Sequence, residues 1–265
     1  MKRNFDKLSA NKRKSVLLRS VKKAVGMFGL FEDGDRVIIA VSGGKDSLVL
    51  MDILAERSPW WARTVEFVPV FVDLGFAEEA DDFGDLREFA SARGMELKIA
   101  HRKEIARISI GNDRPQNPCF ICSRMRRKAL IETAEELGAN KIALGHHRDD
   151  VLETFLINAF FGRQIAAILP NQSLFEGRFR LIRPLFLARE GQIKSYADAF
   201  AFPDLSRKCP LDGETKRDYV KRLLKTLERE NPGLKRDLFR ALFHPKPEYL
   251  LGQYTKTARA NDKDT

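Results

Sequence analysis

The chain has 265 residues, 43% of them hydrophobic and 32% charged, with a formal net charge of +10. This balance excludes a disordered or fibrous chain, and no apolar run approaches the roughly 18–20 residues of a membrane span. The start is charged with no apolar stretch behind it, so a secretory signal and a membrane partner are not expected and a cytoplasmic location is.

Residues 2–23 carry nine lysines and arginines against the single acid Asp6. Within them a helix is predicted over 15–28, with Val16, Leu17, Val21, Ala24, Val25 and Phe28 on one face. The run Arg36–Val41 is apolar without alternation, as in a strand buried on both faces. A glycine loop leads from it into a predicted helix, Asp46–Arg57. Val65–Val72 reads as a strand, Glu78–Arg93 as a helix closed by Gly94, and Glu96–Ala100 as a strand. Residues 101–118, rich in Gly, Asn, Asp and Pro, read as a loop. A helix over Ser123–Leu137, a strand Lys141–Leu144 and a helix from Asp149 to about Phe161 follow. The last strand is expected at Phe179–Ile182, before a helix from Arg189 to about Ala201. Strands alternating with helices make βαβ units, hence an α/β fold with a doubly wound parallel sheet. Ligands in such sheets sit beyond the carboxyl ends of the strands. The expected organisation is a basic helical segment over 1–30, the α/β domain over 31–205, a basic helical segment over 206–250 and a frayed tail over 251–265.

Further basic clusters occur at Arg124, Arg126, Arg127 and Lys128, and from Lys216, Arg217, Lys221, Arg222 and Lys225 to Lys235 and Arg236. Any one is an ordinary solvated helix face. Three in one chain point to a nucleic acid, since neutralised phosphates release condensed counterions.

Ser42-Gly43-Gly44-Lys45-Asp46-Ser47 carries the sharpest chemistry. Two glycines let backbone approach an anion closely, and the helix behind them offers free N–H groups and a positive dipole end. It is not a Walker A loop: no glycine stands five residues before Gly44, and Asp46 follows the lysine where Ser or Thr should. The second segment, Gly145-His146-His147-Arg148-Asp149-Asp150, also opens a helix. Asp149 or Asp150 suits a helix cap, and two acids beside a phosphate loop equally suit Mg2+. A zinc pair is less suited, because adjacent histidines at a helix start point apart.

The three cysteines are Cys119 and Cys122, spaced CxxC, and the distant Cys209. An odd number without a signal peptide argues for metal or redox chemistry over disulfides. Four readings compete: a zinc site with a histidine such as His244 as fourth ligand, a dithiol pair, a three-thiolate 4Fe–4S cluster, and a Cys209 that is simply buried.

The string Ser42–Ser47 resembles the SGGxDS loop of the PP-loop ATPases, which split ATP between its α and β phosphates. Gly145–Asp150, followed by Glu153 and Thr154, resembles the second nucleotide motif of the tRNA-modifying members. With Pro118–Arg127 and Ile182–Leu185, the order and spacing are similar to the tRNA 2-thiocytidine synthetases and their 2-thiouridine relatives. The resemblance implies an adenine-nucleotide α-hydrolase-like fold and ATP bound at Ala40, Ser42, Gly43, Gly44, Lys45, Asp46, Ser47, Asp73, Gly145 and His146. It implies Mg2+ at Asp46 and Asp150, a 4Fe–4S cluster on Cys119, Cys122 and Cys209, and Arg126 as a further catalytic group. The implied partners are tRNA and a sulfur donor such as a cysteine desulfurase, and a homodimer is compatible with the family. Cytidine is the preferred target. The alternatives are a 2-thiouridine synthetase, a lysidine synthetase-like adenylating enzyme, and a nucleotide- or RNA-binding protein without turnover.

Overall fold

A computed structural model describes residues 8–56, 59–76, 82–110, 118–206 and 215–251. The elements in chain order are α1 (Ala10–Phe28), β1 (Arg36–Val41), α2 (Lys45–Leu54), the single turn α3 (Trp61–Thr64), β2 (Glu66–Asp73), α4 (Gly84–Ser91) and β3 (Lys98–His101). There follow α5 (Glu104–Ile110), α6 (Pro118–Glu136), β4 (Lys141–Ala143), α7 (Arg148–Phe161), β5 (Asn171–Leu174), β6 (Phe179–Ile182), α8 (Glu190–Ala199), α9 (Lys216–Glu230) and α10 (Leu234–Ala241).

The strands form one sheet in the order β3-β2-β1-β4-β6-β5. All neighbours are parallel except the edge pair β5–β6. The chain moves outward from β1 through β2 to β3, then returns to the other side of β1 as β4. The carboxyl ends of β1 and β4 therefore flank the switch point, where loops diverge to leave a crevice. Along β1, Val37, Ile39 and Val41 enter one apolar cluster with α1, α2 and α8, while Ile38 enters a second with α6. That period of two explains why the run is apolar throughout: both faces are covered.

Three expectations change. Part of the 101–118 loop is the helix α5, whose Ile105 and Ala106 are buried against the sheet. The CxxC lies inside α6, which begins at Pro118 rather than after the cysteines. Strand β5 had no apolar pattern to announce it, because Asn171 and Gln172 sit on an edge only partly buried. Residues 78–81, expected in a helix, and the tail 252–265 lie outside the described residues.

The chain divides into two compact units, Met1–Val151 with Ile168–Thr215, and Leu152–Ala167 with Lys216–Thr265. In the first, α1 buries Leu17, Val21, Ala24 and Val25, and its Arg13 donates to the Ser195 carbonyl at 2.9 Å. Lys12, Arg19, Lys22 and Lys23 remain exposed. In the second, α9 buries Val220 and Leu224 and exposes Lys221, Arg222 and Lys225. The Tyr219 and Phe161 rings meet there edge to face, 6.1 Å apart. Among the described residues no helix is long and apolar enough to cross a membrane.

Candidate active site

Strand β1 ends at Val41, and the chain turns through Ser42, Gly43 and Gly44 into α2. Gly43 has φ +80, and a Cβ there would stand 2.0 Å from the Leu205 carbonyl oxygen. The Gly43 carbonyl in turn accepts the Leu205 N–H at 3.1 Å. Only glycine allows this approach, so one glycine of the pair serves the fold itself. Gly44 is different. Its φ of −74 is ordinary, and a Cβ would meet only the Ser42 hydroxyl, at 3.6 Å. Ser47 ties the loop together: its hydroxyl oxygen accepts the Ser42 N–H at 3.1 Å and donates to the Gly44 carbonyl at 2.8 Å. The amino end of α2 thus presents backbone donors with no side-chain cap.

The second motif lies directly against the first. A Cβ on Gly145 would be 3.2 Å from the Asp46 carbonyl carbon and 3.3 Å from the Ser47 nitrogen. His147 is buried and stands between two carboxylates, with Nε2 4.0 Å from Asp46 and Nδ1 3.3 Å from Asp150. Asp150 accepts the His147 N–H at 2.9 Å, and the Asp150 N–H points back at His147 Nδ1 at 3.4 Å. This is a reciprocal cap on α7 with histidine in the place usual for serine. Asp149 caps a different helix: its carboxylate accepts the Glu190 N–H of α8 at 2.9 Å.

Asp46 is half-buried, and its Oδ1 has no hydrogen-bond partner. Burial holds its carboxyl above the ordinary range, opposed by His147 and Lys45 and reinforced by Asp150 and Glu190. A desolvated carboxylate oxygen without a donor is a natural ligand for a hard cation. Lys45 Nζ lies 3.8 Å from that same oxygen. Among the described residues no three acids, histidines or cysteines converge as a ready-made metal site. A Mg2+ at Asp46 and Asp150 would therefore take much of its coordination from phosphate and water, as Mg2+ commonly does.

Ala40 is half-buried in β1, beside Val70 of β2. Asp73, at the carboxyl end of β2, is buried and directs its side chain inward: it accepts the Gly75 N–H at 2.9 Å and lies 3.1 Å from His101 Nδ1. His146 is half-buried, with Nδ1 3.4 Å from the Arg183 Nε. Arg183 follows the last residue of β6 and is itself buried. Burial, and secondarily the charge of Arg127, pulls its guanidinium down to about 10.

Cys119 and Cys122 both fall in the first turns of α6, three residues apart. Cys122 is half-buried against the apolar cluster of that sheet face. Arg126, four residues further, is exposed. Cys209 and its neighbours Lys208 and Pro210 lie outside the described residues. Soft thiols, three residues apart at a helix start and followed by arginines, fit an anionic iron–sulfur cluster as a donor set.

A family model for the PP-loop domain matches residues 13–203. The tRNA-cytidine(32) 2-sulfurtransferase of Geobacter sulfurreducens is 39% identical over 246 residues, covering 91% of this chain and 94% of the relative. That of Methylobacillus flagellatus is 34% identical over 265 residues, covering 96% and 85%. The chain belongs to the PP-loop family of tRNA 2-sulfurtransferases. Among solved structures, the U34-tRNA thiolase NcsA from Methanococcus maripaludis, determined with its 4Fe-4S cluster, shares the PP-loop fold. The TM-score is 0.70 at 24% identity, over 89% of this chain and 79% of that one.

Two residues of this PP-loop site escaped the sequence reading. His147 looked equivalent to His146, and only burial between Asp46 and Asp150 separates them. Arg183 falls within Ile182–Leu185, where the sequence gives it no role of its own, and only its burial after the last parallel strand sets it apart.

Proposed function

We propose that this protein is an ATP-dependent tRNA sulfurtransferase that adenylates the C2 carbonyl oxygen of a pyrimidine, cytidine first, and replaces that oxygen with sulfur. The observation carrying this reading is the packing of Gly145 against Asp46 and Ser47, which joins a phosphate loop to a His–Asp pair. The identity to tRNA-cytidine(32) 2-sulfurtransferases over nearly the whole chain supports the substrate.

A pyrimidine carbonyl oxygen is a poor leaving group. Its attack on the α-phosphorus of ATP breaks the bond to the β-phosphate bridging oxygen, and pyrophosphate leaves with that electron pair. The backbone N–H groups at the start of α2, with Lys45, stabilise the charge that builds on pyrophosphate. Asp46 and Asp150 would hold the Mg2+ that shields the phosphates. His147 stands between the two carboxylates, with Nε2 facing Asp46 and Nδ1 facing Asp150. A sulfide-level sulfur then adds to C2 and expels AMP, which carries off the former carbonyl oxygen, so no net oxidation or reduction of the base occurs. Cys119, Cys122 and Cys209 would hold a 4Fe–4S cluster, which when bound supplies an iron without a protein ligand for presenting sulfur. In sequence Cys209 lies three residues beyond Ser206, and the neighbouring Leu205 touches Gly43. Arg126 would contact the substrate beside the cysteines. The target base leaves its stack to react, at a cost of a few kcal/mol, least in a loop. The exposed lysines and arginines of α1 and α9 would hold the tRNA backbone. A cysteine desulfurase is the expected sulfur source, a homodimer the expected assembly and the cytoplasm the expected location.

The decisive assay combines ATP, sulfide and tRNA with anaerobically purified protein and reads tRNA nucleosides by mass spectrometry. 2-Thiocytidine with stoichiometric AMP and pyrophosphate is expected; 2-thiouridine redirects the base, and no thiolated nucleoside overturns the reading. Cys119→Ser and Cys122→Ser should abolish thiolation while tRNA-dependent pyrophosphate release persists. No thiolated nucleoside from wild type, with tRNA-dependent pyrophosphate release unchanged in these variants, would favour a lysidine synthetase-like enzyme.

A further inference from the structure

Arg183 lies at the carboxyl edge of β6, one strand beyond the loop Gly145–His147 that follows β4. It is 3% exposed, and each of its described contacts is to a neutral acceptor. Nη1 donates to the Leu169 carbonyl at 2.5 Å, Nε points at His146 Nδ1 at 3.4 Å, and the backbone N–H donates to the Pro170 carbonyl at 3.0 Å. Among the described residues no carboxylate stands within ion-pair distance. The charge that does act on it belongs to Arg127, five residues past Cys122 on α6, and is also positive.

Buried guanidinium groups are normally paired, because an uncompensated ion out of water is costly. Hydrogen bonds to two neutral acceptors hold the group in place but do not neutralise it. A guanidinium buried among neutral acceptors strains the protein alone and suits a guest of opposite charge. A planar guanidinium fork matches phosphate oxygens in geometry as well as charge.

We propose that Arg183, oriented by Leu169 and His146 and assisted by Arg127, is the subsite for a phosphate group brought by the substrates. The inference rests on the sulfurtransferase reading for the identity of those substrates. The phosphate comes either from the adenylate side, as the α-phosphate of ATP or AMP, or from the tRNA backbone at the reacting nucleotide. Both present the same oxyanion to the same fork. A residue with this role sets where the reacting carbonyl stands relative to the phosphate loop, from two strands away.

The test uses the full-length protein with Arg183→Gln, Arg183→Lys and Arg127→Gln. Thermal shift with inorganic phosphate, AMP and ATP reads the first source; filter binding of tRNA across a salt series reads the second. Arg183→Gln should weaken one source at least tenfold, Arg183→Lys should recover part of that loss, and Arg127→Gln should lose several-fold. Loss of ATP and AMP binding with tRNA binding intact places the nucleotide phosphate there. Loss of tRNA affinity with a salt slope shallower by about one unit places the RNA phosphate there. Unchanged binding of both in Arg183→Gln overturns the proposal. Should that variant fail to fold, the exposed Arg127→Gln decides: wild-type affinities for both ligands overturn it equally. A wild-type protein that binds these ligands but thiolates no tRNA would sink the function, and leave the phosphate subsite standing.

Discussion

The two glycines of the phosphate loop make opposite predictions when each is changed to alanine. At Gly43 the backbone holds φ +80, and the new Cβ would lie 2.0 Å from the Leu205 carbonyl oxygen and 2.5 Å from its carbon. Positive φ costs a non-glycine residue about 1–3 kcal/mol. The clash also parts Leu205 from Gly43 and breaks their hydrogen bond, worth about 1 kcal/mol. Gly43→Ala should thus destabilise the first unit by roughly 2–4 kcal/mol, a fall in Tm of about 5–15 °C. At Gly44 the backbone suits any residue, and the Cβ meets only Ser42 Oγ at 3.6 Å. The loss of a glycine N-cap, some tenths of a kcal/mol up to about 1, is offset by a similar entropic gain from a stiffer unfolded chain. Gly44→Ala should melt within about 2 °C of wild type. If phosphates lie against this backbone, however, the methyl group stands in their place, and ATP affinity should fall at least tenfold. Differential scanning fluorimetry and ATP binding by calorimetry on both variants check this. A Gly44→Ala protein that is stable and binds ATP normally would refute the claim that nucleotide packs on bare backbone there.

Asp46→Asn should raise the Tm of ligand-free protein at pH 7 while abolishing Mg-ATP binding. Burial lifts the Asp46 pKa above its ordinary 3.8, so its contribution to stability is present in acid and lost as pH rises through the folded value. The gain from asparagine should therefore vanish near pH 4, and a lower Tm at pH 7 would contradict it. His147→Ala should lose about 1 kcal/mol of stability with the cap on α7 and most of the pyrophosphate release. His147→Asn, a good N-cap, should restore stability without activity, and restored turnover would reduce His147 to a cap. Lys141 and Asp35 form a buried ion pair at 2.7 Å at the amino ends of β4 and β1. Lys141→Met should cost about 3–5 kcal/mol by stranding Asp35. The KM for ATP should not change, because the nucleotide edge is at the other end of those strands.

The parallel sheet was legible because burial on both faces writes itself as unbroken apolar runs, as in Val37–Val41. Segments stabilised by tertiary context were not. Helix α5 is short, and its Ile105 and Ala106 are buried only because the sheet lies beneath them. Strand β5 pairs through backbone, and its Asn171 is spent on the carbonyls of Phe28 and Gly29 at 3.1 Å, which a pattern of apolar residues does not encode.

The candidate site divides along the same line. Glycines and acids at helix starts are readable because their chemistry is local: a turn, a cap, a dipole end. What suits Asp46 to a cation, however, is its desolvation beside His147, which depends on the switch point bringing two loops together from residues about a hundred positions apart. The same holds for Arg183, whose charge is plain in the sequence but whose burial beyond β4, with no carboxylate in ion-pair distance among the described residues, only the fold reveals. Local motifs thus identify the nucleotide edge. The fold adds a desolvated carboxylate at Asp46 and a buried guanidinium at Arg183, on either side of Gly145 and His146. The proposed adenylation would use this separation, since a cation beside Asp46 and the guanidinium of Arg183 would then reach phosphate oxygens from two sides.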